Sequence, residues 1–283
     1  MIIRPISTAD IPSLMQLKDA EGWNQTAEDW LFLITHNPQH CLVAELEDKI
    51  VGSVTAMSYG NDLAWIGMML VHKAHRGKGI GKLLLQEITG KLGSIKSIKL
   101  DATPAGEPLY AKLGFISELE ICRMTISTTK EFKFNEIDSE NVKDLDEHDL
   151  AGVIASDDKI IGTNRDSLLQ YLFAANKSTR FFIKNQDGSS SYLFGRLGTR
   201  YTQLGPLSAH SSAQAITLLA KALTVLHGKP VVVDVLADKI EVISWLQSIG
   251  FIEQRRLVRM YLCDRDLSGQ VENQYLIAGP ELG

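Results

Sequence analysis

Two stretches of this chain repeat one pattern. Gly114-Phe115-Ile116, six residues, then Arg123-Met124 is matched by Gly250-Phe251-Ile252, six residues, then Arg259-Met260. Upstream of each, an apolar run closes on an aspartate. It is Ile98-Lys99-Leu100-Asp101 in the first half and Val231-Val232-Val233-Asp234 in the second. Two matched pairs in the same order point to one fold duplicated within the chain. The 283 residues leave room for two domains of roughly 100–200 residues each.

The elements alternate in both halves. Ile2 to Arg4 reads as a strand, and Ile11, Leu14, Met15 and Leu17 recur at helical spacing. Thr26-x-x-Asp29 has the form of a capping box ahead of the helical Trp30, Leu31, Leu33 and Ile34. Strands follow at Cys41 to Glu45, Ile50 to Met57 and Trp65 to Val71, then a helix from Ile80 and a strand from Ile95 to Leu100. A short helix at Leu109 to Leu113 and strand material from Phe115 to Ile126 close the half. In the second half, helices are expected at Asp166 to Ala175, Ala213 to Leu226 and Ile240 to Ile249. Strands are expected at Arg180 to Lys184, Tyr192 to Leu197, Tyr201 to Leu204, Val231 to Val235 and Phe251 to Leu262. Between the halves, Thr128 to Asp149 is polar and acidic, and Asn141 to Leu145 reads as the start of a helix.

Composition narrows the function classes. Apolar residues make up 45% and charged residues 22%, which is ordinary globular usage. A net charge of −5 gives no basic field, which argues against a nucleic-acid partner. Cys41, Cys122 and Cys263 are scattered, with no metal or disulfide spacing, and read as reduced thiols. No apolar run approaches the roughly 18 residues of a membrane span, and the first residues lack a signal-peptide pattern. The expectation is a soluble, cytoplasmic protein with no metal and no membrane partner.

Arg76-Gly77-Lys78-Gly79-Ile80-Gly81 lies between an apolar strand and a helical run. A glycine turn at a helix N-terminus gathers N–H donors, and Arg76, Lys78 and Lys82 add positive charge, a combination suited to a pyrophosphate. It is no P-loop, because Arg76 stands where the first glycine belongs and Leu83 follows Lys82. It also fails the dinucleotide fingerprint, with Leu84 at the third glycine position.

What remains, Arg76-x-x-Gly79-x-Gly81 with Val71 before it, resembles the cofactor motif of the GCN5-related N-acetyltransferase (GNAT) superfamily. A second signature of that family, Leu-Tyr-x-x-x-Gly-Phe, is matched by Leu109-Tyr110-Ala111-Lys112-Leu113-Gly114-Phe115. The resemblance implies an α/β fold with a mixed sheet, in two tandem acyl-CoA N-acyltransferase domains. A catalytic domain would span residues 1–128, a linker 129–140, and a degenerate copy 141–283. It implies acetyl-CoA as co-substrate, held by Arg76, Gly77, Lys78, Gly79, Ile80, Gly81 and Lys82, with backbone groups of Met69, Leu70 and Val71 for the pantetheine. It implies direct attack by an amine, with Tyr110 protonating the departing thiolate. The bland alternative for Tyr110 is packing on Phe115.

Trp23-Asn24 lies where the family commonly builds its acceptor pocket, although Trp23, Trp65 and Tyr59 all read equally well as packing aromatics. The strand before the loop, Trp65 to Val71, carries no carboxylate, which puts the direct glutamate base of some relatives in doubt. Asp101, Glu21, His72 and a water chain stay open as routes for the amine's proton. The second half lacks both motifs. Leu246 stands in the place of Tyr110, and the expected connection Gly205 to Ser212 has one glycine and no Arg or Lys. The acceptor is then a small-molecule or peptide amine, with a homodimer allowed. A non-catalytic acetyl-CoA sensor, or transfer of another acyl group on the same fold, are the alternatives.

Overall fold

The computed structural model describes residues 1–129, 141–264 and 269–283, so residues 130–140 of the expected linker lie outside the described residues. The first half runs β1 (Ile2–Pro5), α1 (Ile11–Ala20), α2 (Ala27–His36), β2 (Cys41–Leu46), β3 (Lys49–Tyr59), β4 (Leu63–Val71), α3 (Ile80–Lys91), β5 (Ser97–Ala102), α4 (Glu107–Lys112) and β6 (Ile116–Ile126). The second half runs β7 (Lys143–Asp144), α5 (Glu147–Ile161), α6 (Asp166–Ala175), β8 (Phe181–Lys184), β9 (Ser190–Leu197), β10 (Thr202–Ser208), α7 (Ser212–Val225), β11 (Val231–Leu236), α8 (Ile240–Ser248), β12 (Ile252–Cys263) and β13 (Gln274–Leu276).

Local chemistry explains the helix starts. Thr26 Oγ1 accepts from Asp29 N–H at 3.2 Å and Thr26 N–H donates to Asp29 Oδ2 at 2.7 Å, so an aspartate closes the capping box that begins α2. Asp146 caps α5 by accepting from the N–H groups of His148 and Asp149. The expected helix at 141–145 is instead the short strand β7, and the helix begins after it. The acids Glu147 and Asp149, part of the polar stretch between the halves, are the favourable first-turn charges of α5.

Among the described residues, all strands join one 13-stranded sheet, ordered β1-β2-β3-β4-β5-β12-β6-β11-β13-β10-β9-β8-β7. That order departs from two self-contained copies. β12, from the second half, pairs antiparallel with β5, and β6, from the first half, pairs antiparallel with β11. Each half lends its last long strand to the other.

The repeated residues show what the exchange accomplishes. Arg123 on β6 makes a two-pronged ion pair with Asp234 on β11, with both contacts at 2.7 Å. Arg259 on β12 reaches Asp101 on β5 at 3.0 and 3.4 Å. The aspartate of each copy is thus neutralised by the arginine of the other. The neighbouring methionines follow suit. Met260 packs in the apolar core beneath α3, with Leu84, Leu85 and Ile88, while Met124 packs in the core beneath α7, with Leu218 and Leu219. A third core joins the helix pairs of both halves, α1–α2 with α5–α6, and contains Trp30, Leu33, Val153 and Leu168.

Because these ion pairs are buried, removing one member leaves an uncompensated charge. Asp234→Ala should lower stability by about 3–5 kcal/mol in urea unfolding. The double replacement Arg123→Met/Asp234→Leu should lose less than the single one. A double variant as unstable as the single would show that the pair itself is not what the exchanged strands rest on.

Candidate active site

Strands β4 and β5 run parallel from Leu63↔Ser97 to Ile66↔Leu100 and pair no further. Where pairing stops, β4 carries an extra residue relative to β3, between the pairs Thr55↔Gly67 and Ser53↔Leu70. Met68 takes a left-handed φ of 49° there, and its carbonyl accepts from Ser53 Oγ at 2.8 Å. The bulge and the splay open a wedge beside Met69, Leu70 and Val71, whose backbone groups are released from the β4–β5 ladder.

The glycine loop closes the wide end of that wedge. Gly77 and Gly79 have φ of 74° and 81°, a region that side-chain-bearing residues reach only with strain. The first N–H of α3 to find a carbonyl is that of Leu83, on Gly79 at 3.1 Å, so the first-turn donors at Ile80, Gly81 and Lys82 have no intrahelical acceptor. Arg76 braces the loop. Its Nε donates to the Val71 carbonyl at 3.0 Å and its Nη2 to Glu21 at 2.5 Å. Glu21 is thereby a strut between α1 and the loop.

A cleft of about 590 Å³ lies between the loop, the β4 bulge and α4. Every residue expected to hold the co-substrate lines it except Lys78, which is exposed beside it. Its inner end meets a chamber of about 60 Å³ formed by Ile66 to Met69, Leu100, Asp101, Gln25 and Glu281. Tyr110, Trp23 and Arg255 belong to both spaces. The Tyr110 ring makes an edge contact with Phe115 at 6.1 Å, so the packing reading is also realised. Its hydroxyl nevertheless has no partner among the described residues, and burial pushes it up to about 12.

The other sequence candidates separate cleanly. Asn24, expected in the acceptor pocket, clamps the two halves. Its Oδ1 accepts from the N–H groups of Arg200 and Tyr201 at 3.0 and 2.9 Å, and its Nδ2 donates to the Tyr201 carbonyl at 3.1 Å. It borders neither the cleft nor the inner chamber, but it lines a neighbouring pocket with Arg123, Arg200 and Arg255. Tyr59 and Trp65 hold the segment 277–283, donating to the carbonyls of Leu282 and Pro280. His72 is exposed and caps the turn at Lys73–His75. Of the proposed proton acceptors, Asp101 alone borders the inner chamber.

Residues not expected from sequence complete that chamber. Gly67 lacks a side chain at the point where the Glu281 backbone crosses β4, and a Cβ there would lie 2.5 Å from Glu281 Cα. The space beside the carboxylate-free strand is therefore taken by Glu281, from far along the sequence. Arg196 binds Glu281 and Asp29 together, and Gln25 Nε2 donates to Glu281 at 2.8 Å. Arg123 and Arg255, on the exchanged strands, form another wall. The glycine in β4 is the one local signal for these contacts.

The second half has the same parallel start, Thr202↔Val231 to Leu204↔Val233. Its wedge is filled. β13 enters between the strands, pairing Leu276 with Leu207 on β10 and with Val235 on β11. The expected connection from Gly205 is correspondingly shorter, because β10 continues to Ser208.

Two family models, each described as an acetyltransferase (GNAT) domain, match residues 37–117 and 153–276. The chain belongs to the GNAT acetyltransferase family, in a tandem arrangement. It is 27% identical over 282 residues to the holothin acyltransferase of Pseudoalteromonas sp. (strain SANK 73390), covering 99% of this chain and 94% of that protein. It is 27% identical over 216 residues to the uncharacterized N-acetyltransferase YitH of Bacillus subtilis (strain 168), 74% of each chain. Among solved structures, a putative acetyltransferase from Pyrococcus horikoshii superposes with a TM-score of 0.80 at 23% identity, over 100% of this chain and 95% of that one. That likeness is one of fold. The protein is a GNAT-type acyltransferase.

One open wedge and one plugged wedge set a stoichiometry. Titration calorimetry of the full chain should give one equivalent of acetyl-CoA. Gly79→Glu should weaken binding at least about tenfold, through backbone strain and charge together. Two equivalents would mean that β13 does not exclude ligand from the second half.

Proposed function

We propose that the first half's cleft binds acetyl-CoA and that the inner chamber receives a primary amine, to which the acetyl group is transferred directly. The observation that carries this reading is the Tyr110 hydroxyl, unpartnered at the junction of the two spaces. The cleft fits the co-substrate in size and chemistry. Its volume of about 590 Å³ suits a ligand of that class, and the free N–H groups of α3's first turn suit a pyrophosphate. Backbone groups beside the β4 bulge suit the pantetheine amides. The match to a named acyltransferase along 99% of the chain supports acyl transfer as the reaction.

In this reading the amine nitrogen attacks the thioester carbonyl carbon, the carbon–sulfur bond breaks, and Tyr110 gives its proton to the departing sulfur. The amine's surplus proton goes to Asp101, whose carboxyl is held above its usual range by burial and is a stronger base for it. Arg259 keeps Asp101 in place. The second half, its own wedge plugged, serves as the wall of the acceptor chamber.

Tyr110→Phe should lower kcat by about a hundredfold while moving the acetyl-CoA Kd less than about threefold. Since the acid must be protonated to act and burial pushes Tyr110 up to about 12, kcat should show no alkaline descent below about pH 10. A descent near pH 9 would remove Tyr110 from the role. Asp101→Asn should slow turnover strongly at about pH 7 and less at about pH 9, where more of the amine sheds its proton unaided. An equal loss at both would assign the proton elsewhere.

A further inference from the structure

Arg255 is a cation that the protein leaves without an anion. Among the described residues its guanidinium has no hydrogen bond or ion pair, and its Nε is buried without a partner. It stands directly across the sheet from Arg123, with which it is in register. Like charges at opposed positions destabilise a sheet. Beyond the register shift after Glu253, Arg255 and Leu257 alternate onto the same face of β12 and both line the inner chamber. Asp234 offsets the crowding only in part, because both of its oxygens are committed to Arg123 and one also takes Gln203, and neither bonds Arg255. Burial and the neighbouring Arg123 push Arg255 down to about 10, the physical mark of a cation short of compensation.

The surroundings say which ligand would supply the missing charge. Arg255 and Arg123 are shared between the inner chamber and an outer pocket of about 240 Å³. A third arginine, Arg200, borders the outer pocket, and its side chain meets only the Gly22 carbonyl, at 3.3 Å. The one acid there, Glu21, is already tied to Arg76. No residue of the glycine loop borders this pocket. Arg255 also borders the cleft, but it is shared with the inner chamber and this outer pocket, which lie on the side from which an acceptor would approach Tyr110.

We infer that Arg255 anchors the acceptor, and that the acceptor is a small amine that also carries a carboxylate. The amine would lie toward Tyr110 in the inner chamber and the carboxylate against the Arg255 fork, whose geometry matches a planar carboxylate at two points. The inference rests on the acyl-transfer reading of the cleft and narrows its substrate class.

The test is calorimetry on the full chain saturated with coenzyme A, using a panel of N-acetyl amino acids and the matching carboxamides as product probes. At least one carboxylate should bind about tenfold or more tightly than its amide, and Arg255→Gln should erase that difference. Arg255→Lys should restore part of it. The unfolding midpoint should hold or rise, since the removed charge faces Arg123. A structural arginine would instead lower the midpoint. Carboxylates and amides that bind alike, or a preference that survives Arg255→Gln, would overturn the inference while leaving the cleft reading intact. So would a selective loss of succinyl-CoA over acetyl-CoA binding in Arg255→Gln, which would move the carboxylate to the acyl group. Failure of acetyl-CoA itself to bind the wild-type chain would sink the underlying reading and the inference with it.

Discussion

The structure depends on two aspartates, each neutralised by an arginine from the other half of the chain. Asp101 and Asp234 occupy equivalent places on β5 and β11, with no exposure of their side chains to solvent. A carboxylate so placed is costly unless a guanidinium meets it. The partners arrive on β12 and β6, the strands that the halves exchange. The ion pairs thus tie the register of the exchange to the burial of Met260 and Met124, which lie beside those arginines and fill the opposite cores. A slip by one residue would put both arginines on the wrong face and strand both aspartates.

The same exchange builds the site. The cleft proposed for the co-substrate is made almost wholly by the first half, from β4, α3 and α4. The chamber beyond it is not. Arg255 and Leu257 come from β12, and Pro280 and Glu281 from the segment after β13. A copy of the fold that has lost its own wedge to β13 supplies walls and charge to its neighbour. On the proposed reading, duplication yields one site with contributions from both copies, in place of two sites.

How much of this could be read from the sequence follows from the range of each interaction. The capping box at Thr26 and Asp29, the glycine turn at Gly77 to Gly81 and the Leu109 to Phe115 signature are local, and the structure places all three as their spacing implies. The repeat of Asp101 and Asp234 with Arg123 and Arg259 was equally visible as a pattern. Its meaning was not, because the pattern is the same whether each arginine meets the aspartate of its own half or of the other. Asn24 carries a related ambiguity: a polar residue in a loop looks alike whether it faces a ligand or a distant turn, and this one bonds the turn at Arg200 and Tyr201 while also lining the outer pocket. Glu281 could not have been anticipated, since nothing near it in sequence announces Gly67. Helix α5 was hidden by its first-turn acids, which in composition belong to the polar stretch between the halves.

The strand exchange also bears on how the chain reaches its native state. While the protein is being made, β5 emerges long before β12, so the first half must wait with an open sheet edge and Asp101 unmatched. Pairings over such sequence distances close slowly, and the waiting edge is a template for the equivalent strand of another molecule. Two chains folding side by side could satisfy each other's β5 with each other's β12 and form every native contact except the covalent one. For this architecture, concentration during folding is a variable that selects between one closed chain and an interlocked pair.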